Sequence, residues 1–145
     1  MKIVISSGGF DPIHKGHIEY LQKAKTLGDY HIVIVNNDNF LKLKKGKPFM
    51  DEEGRLSIIR ELKSVDMAIL ALDKDLTVCK TIEKIYETWK CDPEALTPNE
   101  FIFAKGGDRF KGEIPETKIC EKYNIKIIDG LGEKIESSSK LLKNV

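Results

Sequence analysis

The sequence predicts an α/β protein built on a single, doubly wound, parallel sheet of five strands. Short apolar runs typical of β-strands alternate with helix-period segments from one end of the chain to the other. Because parallel strands are joined by crossover helices, this alternation implies helices on both faces of the sheet. No internal repeat or composition shift marks a boundary, so residues 1–145 are expected to form one domain.

The five predicted strands are residues 3–5, 31–35, 67–72, 101–104 and 125–128. With the strand order 3-2-1-4-5, the first and fourth strands are neighbours, and ligands in such sheets bind outside the carboxyl ends of the strands at this switch point. Gly8 and Gly9 follow the first strand, and Gly106 and Gly107 follow the fourth. The two glycine pairs would then face one crevice.

The first predicted helix carries an apolar stripe that includes Tyr20, Leu21 and Ala24, and Gly28 is expected at its C-cap. The lysine-rich stretch at residues 40–50 is predicted to be a loop. Asp51 is expected to cap the next helix, and Pro115 suits the first turn of a later one.

Composition excludes several classes of protein. Lys and Arg total 24 against 23 Asp and Glu, which argues against a protein that coats nucleic acid. The three cysteines, Cys79, Cys91 and Cys120, match no zinc or disulfide spacing and indicate a reducing cytoplasm. The N-terminus lacks the apolar run of a signal peptide, and no run has the length of a membrane span. We therefore expect a cytoplasmic protein without nucleic-acid or membrane partners.

The most specific feature is the string that follows the first strand, Gly8-Gly9-Phe10-Asp11-Pro12-Ile13-His14-Lys15-Gly16-His17. Glycines allow backbone N–H groups to approach an anion, and a helix N-terminus adds partial positive charge. Two imidazoles three residues apart project from one side of the first turn. The string is not a dinucleotide fingerprint, since its third glycine is missing at Asp11, and no Gly-Lys-Ser/Thr follows as in a Walker loop.

This string resembles the G-x-F-D-x-x-H-x-G-H signature, with its HxGH motif, of the cytidylyltransferase-like nucleotidyltransferases. The six matching residues are Gly8, Phe10, Asp11, His14, Gly16 and His17. Further similarity covers Lys45 to Pro48, Arg55 and the serines at 137–139, and Lys105 to Asp108 resembles the heptose-1-phosphate adenylyltransferases in particular. The resemblance implies a Rossmann-like sheet, in agreement with the fold read from the residues.

Two departures from the family pattern concern the nucleotide. Gly9 stands where the family often has Thr or Cys. Glycerol-3-phosphate cytidylyltransferases have an arginine shortly before the serines, whereas residues 132–136 contain none. The missing arginine weakens the assignment of CTP.

The resemblance implies an enzyme that joins a nucleoside triphosphate, accompanied by Mg²⁺, to a phosphorylated small molecule and releases pyrophosphate. We expect CTP and a polyol phosphate such as glycerol 3-phosphate. The alternatives are ATP-dependent transfer to a sugar phosphate of the heptose-1-phosphate type, and a non-catalytic nucleotide-binding regulator. Since a phosphate monoester has a second pKa of about 6, the acceptor supplies an ionised nucleophile and no protein base is required. Related enzymes suggest a homodimer.

The resemblance also implies roles for residues. His14 and His17 would contact the α-phosphate and bridging oxygens, and Lys45 or Lys47 the β- and γ-phosphates. Asp11 would orient the loop or reach the Mg²⁺ shell. The implied nucleotide-binding residues are Gly8, Gly9, Phe10, Asp11, Gly16, Arg55, Lys105, Gly106, Gly107, Asp108, Ser137, Ser138 and Ser139.

Structural alternatives remain open for several of these residues. The lysines at 42–47 could form a solvated loop, Asp108 could cap its own glycine turn, and Ser137 to Ser139 could be a plain helix cap. His31 is interpreted as a structural histidine. The pair His14 and His17 has no evident third ligand for a metal nearby.

Overall fold

A parallel sheet of five strands organises the computed structural model, which describes residues 1–91, 94, 97–106 and 114–131. Its elements, in chain order, are β1 (Lys2–Gly8), α1 (Lys15–Lys25), β2 (Tyr30–Val35), α2 (Asp38–Lys45), α3 (Glu52–Arg60), β3 (Met67–Leu70), α4 (Cys79–Trp89), β4 (Glu100–Gly106), α5 (Thr117–Lys122) and β5 (Lys126–Leu131). Within the described ranges, no helix is both long and apolar enough to cross a membrane.

The strand order is β3-β2-β1-β4-β5, and all neighbours are parallel. This is the order assumed in the sequence analysis, with β1 and β4 adjacent, and the predicted parallel sheet of five strands is confirmed. β1 stays paired with β2 as far as Gly8 and Val35, whereas its pairing with β4 ends at Ile5 and Phe103. The sheet consequently splits between the carboxyl ends of β1 and β4.

Alternate residues of the strands pack on opposite faces of the sheet. One core cluster joins Ile3 and Ile5 of β1 to Ile82 of α4 and Cys120 of α5. On the other face, Val4 packs with Ala24 of α1. A further cluster unites apolar residues of β2 and β3 with α1 and α3, through Tyr20, Leu21, Leu56 and Ile59. Helices on both faces are thus confirmed.

The prediction of a loop at residues 40–50 is wrong for its first half, which lies in α2. Asn37 caps this helix by accepting a hydrogen bond from the Phe40 N–H at 2.8 Å, and Leu41 is buried. Lysine is a good helix former, so a high lysine content does not exclude a helix. α2 ends at Gly46, whose φ of 87° favours glycine, and the loop begins there.

Several predicted element ends differ in the structure. α1 ends at Lys25 with Thr26 as its C-cap. Gly28 is instead required for packing, because a Cβ there would lie 2.7 Å from Cγ2 of Val4. Lys105 and Gly106 belong to β4 rather than to a loop, and α5 begins at Thr117, two residues after Pro115.

The N-cap at Asp51 is confirmed, since its Oδ1 accepts a hydrogen bond from the Gly54 N–H at 2.8 Å. The helix that Ser137 to Ser139 could cap lies outside the described residues.

Candidate active site

The split between β1 and β4 opens into a crevice of about 230 Å³ at the carboxyl edge of the sheet. Its walls come from the ends of β1, β2 and β4, from α2, and from the segments that precede α4 and α5. Gly8, Gly9, Lys105 and Gly106 all line it. The structure therefore brings the two glycine segments to one crevice, as predicted, while Gly107 lies outside the described residues.

Tyr20 of α1 bridges the split and lines the crevice. Its hydroxyl donates to the Ala104 carbonyl at 2.6 Å and accepts from the Ser7 N–H at 3.3 Å. Burial raises the pKa of Tyr20 to about 12, so the hydroxyl remains a donor at neutral pH. Gly106 makes room for the ring, because a Cβ there would lie 2.9 Å from Cδ1 of Tyr20. The sequence suggested only a core residue here, although a buried tyrosine hydroxyl normally has a partner.

His31 of β2 is fully buried. Its Nδ1 is 2.7 Å from the Ser64 carbonyl oxygen, and its Nε2 is 2.6 Å from Oγ of Ser6. Since a carbonyl can only accept, Nδ1 carries the proton and Nε2 accepts from the serine hydroxyl. Burial also lowers the pKa of His31, which keeps the ring neutral. The structural interpretation of this histidine is confirmed.

His14 and His17 form the start of α1 with their own side chains. Nδ1 of His14 accepts from the Gly16 N–H at 3.1 Å, and Nδ1 of His17 accepts from the His14 N–H at 3.1 Å. This is a reciprocal capping box made of two histidines. The rings stack with centroids 3.8 Å apart, and Phe10 packs edge-on against His17 at 5.1 Å.

The capping bonds decide where the neutral imidazoles carry their protons. Because Nδ1 of each ring accepts a backbone N–H, the proton of a neutral ring lies on Nε2, the nitrogen farther from the backbone. Burial and the neighbouring His14 lower the pKa of His17 to about 4, so this ring is neutral at pH 7. His17 therefore provides a hydrogen-bond donor rather than a fixed cation. The histidines do not line the crevice, but Tyr20, one turn after His17, does.

Asp11 holds the loop that follows α2. Its Oδ2 accepts from the Phe49 N–H at 2.6 Å, and its Oδ1 accepts from the Met50 N–H at 2.7 Å. Lys45 lies 3.0 Å from Oδ2 and also donates to the Asp11 carbonyl at 2.8 Å. Asp11 is 2% exposed, so these contacts favour the loop-orienting role over a place in a Mg²⁺ shell.

The lysine positions differ from the prediction. Lys45 is directed at Asp11, and Lys47 is exposed and outside the crevice lining. Lys44, which the sequence interpretation passed over, lines the crevice, with Nζ 6.0 Å from the Phe40 ring centroid. Lys105 lines the crevice as well, and its Nζ lies 4.0 Å from Oε1 of the buried Glu116. Phe40 and Lys44 are four residues apart and therefore share one face of α2. A prediction of helix instead of loop for this stretch would have placed the two side chains together.

Arg55 lies beneath the site rather than at its surface and is 1% exposed. Nη1 donates to the carbonyls of Gly9 (3.0 Å) and Asn36, while Nε donates to the Met50 carbonyl at 2.9 Å. Nη2 makes an ion pair with Asp38 at 2.8 Å. The guanidinium thus ties the ends of β1 and β2 to the loop before α3, and it is directed at protein acceptors instead of at the crevice.

No group of three or more His, Cys, Asp or Glu side chains that could hold a metal ion occurs among the described residues.

Phe10 is buried and has a φ of 52°, and its ring packs over Gly8, where a Cβ would lie 2.8 Å from Cζ. Gly16 serves as a donor in the cap of α1. The predicted residues Asp108, Ser137, Ser138 and Ser139 lie outside the described residues.

Comparison with known proteins gives a consistent assignment. A family model described as cytidylyltransferase-like matches residues 5–138. The FAD synthase of Methanothermus fervidus is 34% identical over 145 residues, covering 97% of this chain and 92% of that protein. The bifunctional protein HldE of Helicobacter pylori strain J99 is 45% identical over 126 residues, covering 86% of this chain. This chain spans only 24% of the length of HldE.

Among solved structures, the lipopolysaccharide core biosynthesis protein from Thermoplasma volcanium superposes with a TM-score of 0.65 and 30% identity. The superposition covers 91% of this chain and 98% of that one. The family match includes the whole string from Gly8 to His17 and the strands that open the crevice. The chain therefore belongs to the cytidylyltransferase-like family of nucleotidyltransferases.

Proposed function

We propose that this protein transfers the adenylyl group of ATP to a phosphate monoester and releases pyrophosphate. The observation that carries the proposal is the pair of stacked imidazoles at the start of α1, the helix whose Tyr20 lines a crevice together with Lys44 and Lys105. The relatives favour ATP over the CTP expected from the sequence, because FAD, the product in the name of the Methanothermus enzyme, contains an AMP unit. The absence of an arginine from residues 132–136 agrees with this change.

In the proposed reaction, an oxygen of the acceptor phosphate attacks the α-phosphorus of ATP. The bond from that phosphorus to the bridging oxygen breaks, and pyrophosphate leaves with the electron pair. The acceptor is already ionised at neutral pH, so no protein base removes a proton. The histidine Nε2–H groups donate to the α-phosphate oxygens, where positioned donors lower the energy of the transition state. Arg55 acts as a positioning residue, since its guanidinium holds Gly9 and Asn36.

We infer that the acceptor is flavin mononucleotide. Supporting this choice, the alignment with the Methanothermus FAD synthase extends over nearly the full length of both chains. The second candidate is a sugar phosphate of the heptose-1-phosphate type. It is favoured by the resemblance at Lys105 to Asp108 and by the similarity to the lipopolysaccharide core biosynthesis protein.

We propose that Mg²⁺ arrives bound to the triphosphate oxygens rather than in a cage of protein ligands. This proposal rests on Asp11, whose two carboxylate oxygens are already engaged by the backbone N–H groups of Phe49 and Met50. Mg²⁺ commonly binds through substrate phosphates and water with few protein carboxylates.

A cytoplasmic homodimer remains part of the proposal, and sedimentation of the purified protein will give its subunit number.

The test measures pyrophosphate release with ATP or CTP, each paired with flavin mononucleotide, heptose 1-phosphate or glycerol 3-phosphate. We expect ATP with flavin mononucleotide to give the highest kcat/KM. Turnover of ATP with the heptose phosphate instead would select the second acceptor. Preference for CTP would contradict the nucleotide assignment, and nucleotide binding without turnover on any acceptor would favour a regulator.

A further inference from the structure

Asn36, the residue that follows β2, lines the crevice, and one polar atom of its side chain has no hydrogen-bond partner among the described residues. Its Oδ1 is buried, and no described residue donates a hydrogen bond to it. The main chain of Asn36 is fixed from two sides. Its N–H donates to the Gly8 carbonyl at 2.9 Å, and its carbonyl accepts from Arg55. The residue is 7% exposed, so water has little access to its amide.

In the neighbouring Asn37, by contrast, both polar atoms of the side-chain amide have hydrogen-bond partners within the protein. Its Oδ1 accepts from the Phe40 N–H at 2.8 Å, and its Nδ2 donates to the carbonyls of Ala71 and Asp73, both at 3.0 Å. All of these bonds hold the protein together, so the role of Asn37 is structural. A buried acceptor with no donor destabilises the protein, and an apolar side chain at position 36 would avoid that penalty. The contrast indicates that a ligand supplies the donor to Asn36.

The surroundings restrict the chemistry of that ligand. The crevice volume of about 230 Å³ is smaller than the sites that enclose drug-sized molecules, which are about 300–1,000 Å³. It therefore suits a small part of a substrate rather than a whole nucleoside triphosphate. Lys44 and Lys105 line the same space and favour an anionic group. Hydroxyl groups close to a phosphate satisfy both requirements.

We propose that Asn36 determines acceptor specificity, its amide oxygen accepting a hydrogen bond from a hydroxyl of the acceptor's polyol-phosphate end. The inference rests on the proposed function, because flavin mononucleotide and sugar phosphates both carry hydroxyls near the phosphate. Asn36 lines the crevice, and the broad terminal torsion of asparagine allows its amide group to turn. The geometry requires no movement of the main chain that Gly8 and Arg55 hold.

The first test compares wild type with Asn36→Leu, which keeps a similar size and removes the acceptor. We expect the KM for the phosphorylated acceptor to rise about threefold to tenfold, as for one lost hydrogen bond, while the KM for ATP stays unchanged. Asn36→Ser, which restores a hydroxyl oxygen, should recover part of the loss. A rise in the KM for ATP, or no change in either constant, would overturn the proposal.

The second test measures binding and needs no turnover, and its first arm uses only the wild-type chain. Calorimetry on the wild-type chain compares ribitol 5-phosphate with an analogue lacking the hydroxyl nearest the phosphate. We expect the analogue to bind about threefold to tenfold more weakly to wild type and as well as the parent to Asn36→Leu, since the two deletions remove one bond. Equal binding of the two ligands by wild type would refute the role of Asn36. Failure of adenylyl transfer with every acceptor would refute the proposed function separately.

Discussion

The two ring nitrogens of His14 and of His17 have different roles. Nδ1 accepts a backbone N–H and helps to start α1, and Nε2 carries the proton proposed to reach the α-phosphate. The helix start therefore fixes the tautomer that the chemistry requires. Residues of other types could cap the helix, but few would present a neutral donor at the same place.

His17 offers a way to separate these two tasks by mutation. We predict that His17→Ala lowers kcat about 10² to 10³-fold, as expected for one lost transition-state donor, and also destabilises the helix start by about 1 kcal/mol. Glutamine is a natural third residue of a capping box, so His17→Gln should restore most of the stability but not the rate. Thermal melting and pyrophosphate release check the two effects, and near-normal rates in the alanine variant would contradict the assignment.

Lys44 and Lys47 form a matched pair for testing which lysine acts on the substrate. Both lysines are exposed, but Lys44 lines the crevice and Lys47 lies outside its lining. We predict that Lys44→Ala lowers kcat/KM about 10- to 100-fold, since hydrogen bonds to charged groups contribute about 1.5–3 kcal/mol. Lys47→Ala should stay within about twofold of wild type. The reverse order of effects would restore the role first expected for Lys47.

At the scale of elements, the site depends on buried polar contacts that join loops rather than on the sheet alone. Asp11 joins the loop after β1 to the loop after α2, and Arg55 joins both to the end of β2. Charged groups buried in this way are stable only while all partners are present. The site is therefore sensitive to substitutions that touch no substrate.

Asp11 is the clearest test of that dependence. We predict that Asp11→Ala lowers the free energy of unfolding by about 2–4 kcal/mol, because it removes the ion pair with Lys45 and leaves the N–H groups of Phe49 and Met50 without their acceptor. Asp51→Ala, which removes only the N-cap of α3, should cost about 1 kcal/mol. Urea unfolding compares the two variants, and equal losses would show that Asp11 is no more than an ordinary cap.

The sequence predicted the elements with strong apolar periodicity and the parallel sheet of five strands that they form. It missed α2, because a short helix with one buried residue, Leu41, leaves little periodic signal beneath its lysines. From the sequence we also expected Arg55 to bind the nucleotide. The charge of a side chain does not reveal that it is directed inward, at main-chain carbonyls. The sequence did not indicate that Tyr20 and Asn36 line the crevice, because the crevice forms only when β1, β2 and β4 come together.

For the whole molecule, two neutral histidines, the partly buried His17 and the fully buried His31, make stability depend on pH. Burial lowers the pKa of His17 to about 4 and also lowers that of His31, whereas an unfolded histidine titrates near 6.5. Between these values the unfolded chain binds more protons than the native protein. By linkage, the free energy of unfolding then rises with pH through this window and reaches its plateau above about 6.5.

We predict that stability measured by urea unfolding falls steadily as the pH is lowered from about 6.5 to about 4. The lowered pKa of Asp66, beside Lys25, extends the loss below that range, because a salt-bridged carboxylate must be protonated there. His17→Gln removes one titrating group and should reduce the slope between pH 6.5 and 4 while leaving the loss at lower pH. An unchanged slope in this variant would mean that His17 titrates normally in the native protein, and the neutral Nε2–H donor proposed for the site would lose its basis.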